Sequence, residues 1–220
     1  MDLEADLAVA RGLDVDVIAD AIESIGFECT RCGKCCRGLD GEDHTATIFP
    51  EEIREIQRDG DPEWSAIARP MPFGLTEADD GTTTGETFEW ALQTGACGDC
   101  TFYDADGEKC SIYDRRPLLC RTYPFSLSIG DGEAEAGSMD SVVDREGPVR
   151  AHECEGLGRD VSRADAEELA GTLKERAIRE REEAIGVRDN YQPTDVDGVV
   201  VHDSEGAKRP DGSPIGSEHS

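Results

Sequence analysis

Phe27-Glu-Cys-Thr-Arg-Cys-Gly-Lys-Cys-Cys-Arg37 places Cys29, Cys32, Cys35 and Cys36 on one short stretch. A Cys-x-x-Cys turn brings two sulfurs to one side, each about 2.3 Å from a shared tetrahedral ion. A third cysteine at the same interval gives three thiols on one loop, as in ferredoxin-type iron–sulfur binding, where a fourth thiolate comes from elsewhere. Gly33 lies inside the loop, where the missing Cβ permits positive φ. Cys35 and Cys36 are adjacent, so their side chains diverge and serve different sites or different irons. The spacing points to a metal and leaves zinc and iron–sulfur both open. A fold organised by such a loop is irregular and stapled by metal, with ligation supplying stability that burial does not.

Working outward, Cys97, Cys100, Cys110, Cys120 and Cys154 complete nine cysteines in 220 residues. Thr101-Phe-Tyr-Asp and Lys109-Cys-Ser-Ile-Tyr113 flank Ala105-Asp106-Gly107. An Asp-Gly pair between apolar runs predicts a hairpin, which brings Cys100 and Cys110 together. Cys97-x-x-Cys100 has chelating spacing by itself. Arg31, Lys34 and Arg37 interleave the first cysteine group, and Arg115, Arg116 and Arg121 surround Cys120. Cations beside thiols lower thiol pKa and offset thiolate charge; the plainer account pairs them with surface carboxylates. His152 stands two residues before Cys154 as a further ligand candidate, although a His beside a metal loop is more often incidental. His44, His202 and His219 are scattered and carry no site. Tyr113, Arg116, Pro117, Arg121, Tyr123, Pro124 and Phe125 either line a pocket or, as favoured here, pack and hydrogen-bond around the metal ligands.

The remaining pattern predicts an α+β fold with short helices, a small antiparallel sheet and a long C-terminal helix. Residues 14–25 set Val17, Ile18, Ala21, Ile22 and Ile25 on one helical face, stopped by Gly26. Pro50 opens a second helix to Arg58, with acids in its first turn. Prolines 62, 70 and 72 break residues 61–80 into fragments. Phe88, Trp90 and Leu92 alternate in a strand over Thr87–Leu92, and Phe125, Leu127 and Ile129 in another. Ser162, with Asp165 three residues on, caps a helix to about Ile185, ended by Gly186. Beyond 189 the chain is rich in Asp, Gly, Ser and Pro; Val199–Val201 is a strand candidate, and the last fifteen or so residues read as irregular. The division expected is 1–26, an N-terminal helical segment; 27–158, the cysteine-bearing domain; 159–188, the C-terminal helix; and 189–220, the tail.

The chain carries 50 acidic and 22 basic residues, a net charge of -28, with 4 Lys against 18 Arg. The acid is spread throughout, which resembles the composition of proteins from halophilic archaea, whose carboxylates keep a surface hydrated in concentrated salt. Such a surface argues against nucleic-acid partners, which require basic patches. No apolar run reaches the roughly 20 residues of a membrane span, and the first residues lack a secretory pattern. Cytoplasmic localisation follows, and with it thiols rather than disulfides. No Gly-rich phosphate loop or His-Glu-x-x-His helix is present.

Three segments together resemble a known family: Phe27-Glu-Cys-x-x-Cys-Gly-Lys-Cys-Cys-Arg, then Gly-Glu-Lys-Cys110-Ser-Ile-Tyr-Asp-Arg-Arg-Pro after Cys100-Thr-Phe-Tyr, then Cys120-Arg-Thr-Tyr-Pro-Phe. They are similar to the CxxCxxCC cysteine-cluster family of YkgJ-like zinc- or iron-chelating proteins, often described as containing iron–sulfur clusters. The resemblance covers residues 27–158. It implies eight metal-binding cysteines, carried here onto Cys29, Cys32, Cys35, Cys36, Cys100, Cys110, Cys120 and Cys154, with Cys97 as an extra thiol. Cys154 falls in Cys-Glu-Gly-Leu-Gly, similar to the family's Cys-x-Gly-x-Gly element. The segment 61–96 is poorly matched. The leading expectation is an iron–sulfur protein, 4Fe-4S favoured, with a redox or electron-transfer role and a redox or protein partner of unknown identity. The alternative is a zinc module with a structural or chelating role. A third reading is a methyltransferase-like enzyme, since flagellin lysine methylases carry a similar motif; no adenosylmethionine-binding element is recognisable here. Whether the chain is an enzyme is left open by its sequence.

Overall fold

The computed structural model describes residues 2–38, 43–58, 60–107, 109–129 and 142–216; His219 lies outside them. In chain order, the first half holds helices α1 (Leu3–Gly12) and α2 (Val15–Ile25), strand β1 (Thr47–Ile48), and helices α3 (Pro50–Gln57) and α4 (Trp64–Ile67). Strands β2 (Ala68–Pro70), β3 (Leu75–Glu77), β4 (Thr83–Thr87), β5 (Trp90–Leu92), β6 (Tyr103–Asp104) and β7 (Lys109–Cys110) follow. Then come helix α5 (Leu118–Thr122), strands β8 (Phe125–Leu127), β9 (Val142–Glu146) and β10 (Val149–His152), the long helix α6 (Arg163–Asn190), and strands β11 (Val199–Asp203) and β12 (Gly206–Lys208). The α+β class and the long helix near the C-terminus agree with the sequence pattern. The chain divides into two compact units. One comprises Met1–Cys35 and Leu118–Glu182, the other Cys36–Pro117 and Glu183–Ser220.

In the first unit the apolar face of α2 decides the packing. Ile18, Ala19, Ala21 and Ile22 are buried with Phe125, Val149 and Ala151 of the β8-β10-β9 sheet and with Ala166, Ala170 and Leu173 of α6. Val17, expected on that face, is half exposed, and Ala19 takes its place inside. Asp14 caps α2 through the Asp16 N–H, and Gly26 closes its end at φ 78°. Ser162 Oγ accepts from the Asp165 N–H and donates to its carboxylate, the expected capping arrangement for α6. Arg163 ties α6 to α2. Its guanidinium meets Asp16 at 3.2 Å, Glu23 at 2.8 Å, Glu167 at 2.7 Å, and also Asp20.

The second unit packs around Trp90 and the β11–β12 hairpin. The strand expected over Thr87–Leu92 is two strands in two sheets. β4 pairs with β3 and β11, whereas β5 pairs with β1 and β2. Phe88 at the break turns outward, 48% exposed, and stacks on His202 at 5.4 Å. Continuing the alternation would have required Phe88, Trp90 and Leu92 to share one face. The strand candidate at Val199–Val201 is present as β11, and β12 lies within the stretch read as irregular. β11 runs parallel to β4 (Val200 opposite Glu86) and antiparallel to β12, and a bridge joins Lys208 to Pro214. Buried Val200 and Val201 supply the apolar anchor, and polar contacts fix the turn. Trp90 Nε1 donates to Asp203 at 2.9 Å, and Lys208 Nζ donates to Asp203 at 2.6 Å and to Glu205 at 2.7 Å. His202, read as inert, is buried between Phe88 and Tyr191. Gly186 does not end α6, which continues to Asn190. A Cβ on Gly186 would lie 2.5 Å from Ser204 Cβ, so this glycine serves close packing rather than termination.

Candidate metal centre

The first cysteine loop leaves α2 at Gly26 and is laced to a second loop, 154–159, by main-chain contacts. Phe27 bridges Leu157, the Glu28 N–H donates to the Gly156 carbonyl at 3.0 Å, and the Gly158 N–H donates to the Gly26 carbonyl at 3.0 Å. The approach is close enough to demand glycine. A Cβ at Gly156 would stand 2.3 Å from the Glu28 carbonyl oxygen and 2.9 Å from the Phe27 ring. Phe27 anchors the contact to the core, its ring meeting Phe125 edge-on at 5.5 Å. Cys154 therefore starts a loop bound directly to the chain that carries Cys29, Cys32 and Cys35. Gly33 has φ 72°, as its place in the loop required, and Arg31 shares the left-handed region at φ 58°.

The thiols of this unit interact. Burial pushes the Cys154 thiol above its ordinary pKa, the Gly156 N–H opposes that shift, and Cys32, Cys35 and Cys29 add to it. The Gly156 N–H reaches Cys154 Sγ at 3.4 Å. Glu155 is held below the usual carboxylate range, chiefly by Lys34 at 2.6 Å and in part by a hydrogen bond from Cys32. No disulfide joins any of the nine cysteines. Four thiols are suitable donors for a soft or borderline metal. Among the described residues, however, no three His, Cys, Asp or Glu side chains converge as a bound ion would draw them.

Cys36, Cys97, Cys100 and Cys110 belong to the other unit. The expected hairpin is present, with Tyr103 opposite Cys110, and Asp104 Oδ1 accepts from the Asp106 and Gly107 N–H groups in its turn. The Cys100 N–H donates to the Cys36 carbonyl at 2.8 Å, the Gly38 N–H to Asp99 at 3.0 Å, and Arg37 Nη2 to the Tyr103 hydroxyl at 2.7 Å. Cys97 is exposed in the turn between Gly95 and Gly98. Cys120 sits half-buried on α5 in the first unit.

Several other candidate residues have partners of their own. The Tyr123 hydroxyl donates to the Glu153 carbonyl, bracing the chain beside Cys154. His152 Nε2 meets Ser126 Oγ at 2.9 Å. Arg116 lies over the Tyr113 ring at 3.8 Å and donates to that residue's carbonyl, while Arg121 reaches Thr172 at 3.5 Å. Glu155 and Gly156 were not singled out from sequence. Their signal was their place directly after Cys154 in Cys-Glu-Gly-Leu-Gly.

The sequence profile described as "Putative zinc- or iron-chelating domain", CxxCxxCC, matches residues 28–155. Among curated proteins, the uncharacterized protein MJ0661 of Methanocaldococcus jannaschii is 25% identical over 112 residues, 51% of this chain and 52% of that protein. The match thus spans about half the length of the relative. No solved structure matches. Among the described residues, no helix is long and apolar enough to cross a membrane.

Proposed function

Since the chain belongs to the CxxCxxCC family of zinc- or iron-chelating domains, we propose that it is a metal-binding protein whose cysteines hold an iron–sulfur cluster for electron transfer. The observation that carries the reading is the main-chain lacing of the Cys154 loop to the Cys29–Cys35 loop. It supports a joint ligand set of Cys29, Cys32, Cys35 and Cys154, in which three thiols on one loop meet a fourth from a distant segment, the ferredoxin-type pattern. When bound, such a cluster supplies a one-electron couple tuned by charge, hydrogen bonds to sulfur and exposure.

The chain's own groups have definable parts in this. The Gly156 N–H donates toward Cys154 sulfur, the kind of hydrogen bond that stabilises a thiolate. Lys34 of the cysteine loop pairs with Glu155, the residue after Cys154, at 2.6 Å and ties the two loops together. Metal binding requires thiolates, so it releases the thiol protons and must overcome the burial that disfavours the Cys154 thiolate. The other ligand candidates, Cys36, Cys100, Cys110 and Cys120, come from the family resemblance.

A second reading rests on the same four thiols. Four cysteine sulfurs are also the donor set of structural zinc sites, which contribute folding energy and no redox chemistry. Purification without air decides between them. A brown protein containing iron and acid-labile sulfide in equal amounts is expected; a colourless protein with stoichiometric zinc overturns the iron–sulfur reading.

A further inference from the structure

The outer face of the β8-β10-β9 sheet gathers cations in a chain otherwise dominated by acid. Val149 and Ala151 point into the core, so Arg150 between them projects from the opposite face. Residues directly opposite in an antiparallel pair share a face. Ser126 on β8 and Arg145 on β9 are both register partners of Arg150, and the three form one row across that outer face. The acids beside Arg145 stand outside the row. Asp144 and Glu146 lie opposite Ala151 and Val149, and Asp144 Oδ1 accepts from the Arg145 N–H at 2.8 Å.

Two guanidinium groups on directly opposite residues, with Cβ atoms about 4.5–5.5 Å apart, repel each other. Arg54, Arg163 and Arg176 each meet carboxylates. Among the described residues neither Arg145 nor Arg150 is paired with one, although the chain has 50 acidic residues. Arg150 Nη2 donates instead to Ser128 Oγ at 2.9 Å. That contact occupies the Ser128 oxygen and leaves its proton for another acceptor.

We propose that this row binds a phosphate-type oxyanion, free or as the head of a phosphate ester. A doubly charged anion lying across Arg145 and Arg150 removes their repulsion and accepts charge-assisted hydrogen bonds from both. Val143, two residues before Arg145 on the same face and 51% exposed, gives the organic part of an ester an apolar neighbour. The site is separate from the metal-binding reading and stands without it.

The test is calorimetric titration of the full chain with inorganic phosphate and with phenyl phosphate, at constant ionic strength set by chloride. Saturable binding at one equivalent per chain is expected. Arg145→Glu should weaken it about tenfold or more, the loss of a hydrogen bond between charged groups. The same substitution puts a carboxylate opposite Arg150, so Tm should be unchanged or higher. Tighter binding of phenyl phosphate assigns the site to an ester; equal or weaker binding assigns it to the free anion. Wild type without saturable binding of either, or wild-type affinity in Arg145→Glu, overturns the site. A lowered Tm in Arg145→Glu overturns the argument from repulsion.

Discussion

Replacing Gly156 by alanine tests the contact on which the first ligand set depends. The added methyl would lie 2.3 Å from the Glu28 carbonyl oxygen and 2.9 Å from the Phe27 ring, well inside the 3.5–4.0 Å of favourable contact. The carbonyl belongs to main chain and Phe27 is wedged against Phe125, so neither yields without moving the loop. Overpacking of this kind costs about 1–3 kcal/mol. Losing the 3.0 Å bond from Glu28 to the Gly156 carbonyl adds about 1 kcal/mol. The sum, about 2–4 kcal/mol, lowers Tm by roughly 4–16 °C for a chain of this size. If Cys154 closes a metal site, metal content falls with it. Thermal unfolding and metal analysis of the purified variant provide the measurement. Gly171→Ala is the control, because nothing lies within 4 Å of its added methyl and alanine favours a helix interior by roughly 0.5–1 kcal/mol. Wild-type Tm and metal content in Gly156→Ala would refute the close approach and the ligand set built on it.

Two further outcomes concern the second unit. Glu205, bonded by Arg54 and Lys208, has its pKa lowered from 4.5 to about 2. A depressed carboxyl contributes stability that is fully present above its unfolded value and is lost as pH falls from about 4.5 toward about 2. Glu205→Gln should therefore flatten the acid side of the stability–pH curve, less so in high salt because the pair is partly exposed; an unchanged curve would discount the pairing. Asp203→Ala removes the acceptor of the Trp90 N–H and one of the two carboxylates that meet the buried Lys208 ammonium, leaving Glu205, at a cost of about 1–3 kcal/mol. Denaturant unfolding measures it, and a loss below about 1 kcal/mol would mean that solvent reaches the pair.

What sequence made legible was mostly local. The α2 face, the Ser162 cap and the Asp106-Gly107 turn are each written within a few residues, and the structure contains all three. Gly186 misled because a glycine needed for close approach to Ser204 has the same signature as a helix terminator. Phe88 misled because strict alternation does not reveal that a strand changes sheets between Thr87 and Trp90. The parallel pairing of Val199–Val201 with Gly85–Thr87 joins segments more than a hundred residues apart, and no local pattern encodes it. The thiol inventory was plain in the sequence, while the lacing of Cys154 to the first loop was not. Main-chain hydrogen bonds and a glycine without side chain carry that contact, so no distinctive residue type announces it.

Arg163 has one positive charge and four carboxylates around it. The surplus of three negative charges in this group at the α2–α6 seam, on a chain whose net charge is -28, attracts cations from the medium. Desalting would withdraw that neutralisation first where the helix supporting the Cys29 loop is pinned. Metal retained in concentrated salt and shed in dilute buffer would then record the opening of a helix pair, with sulfur affinity unchanged.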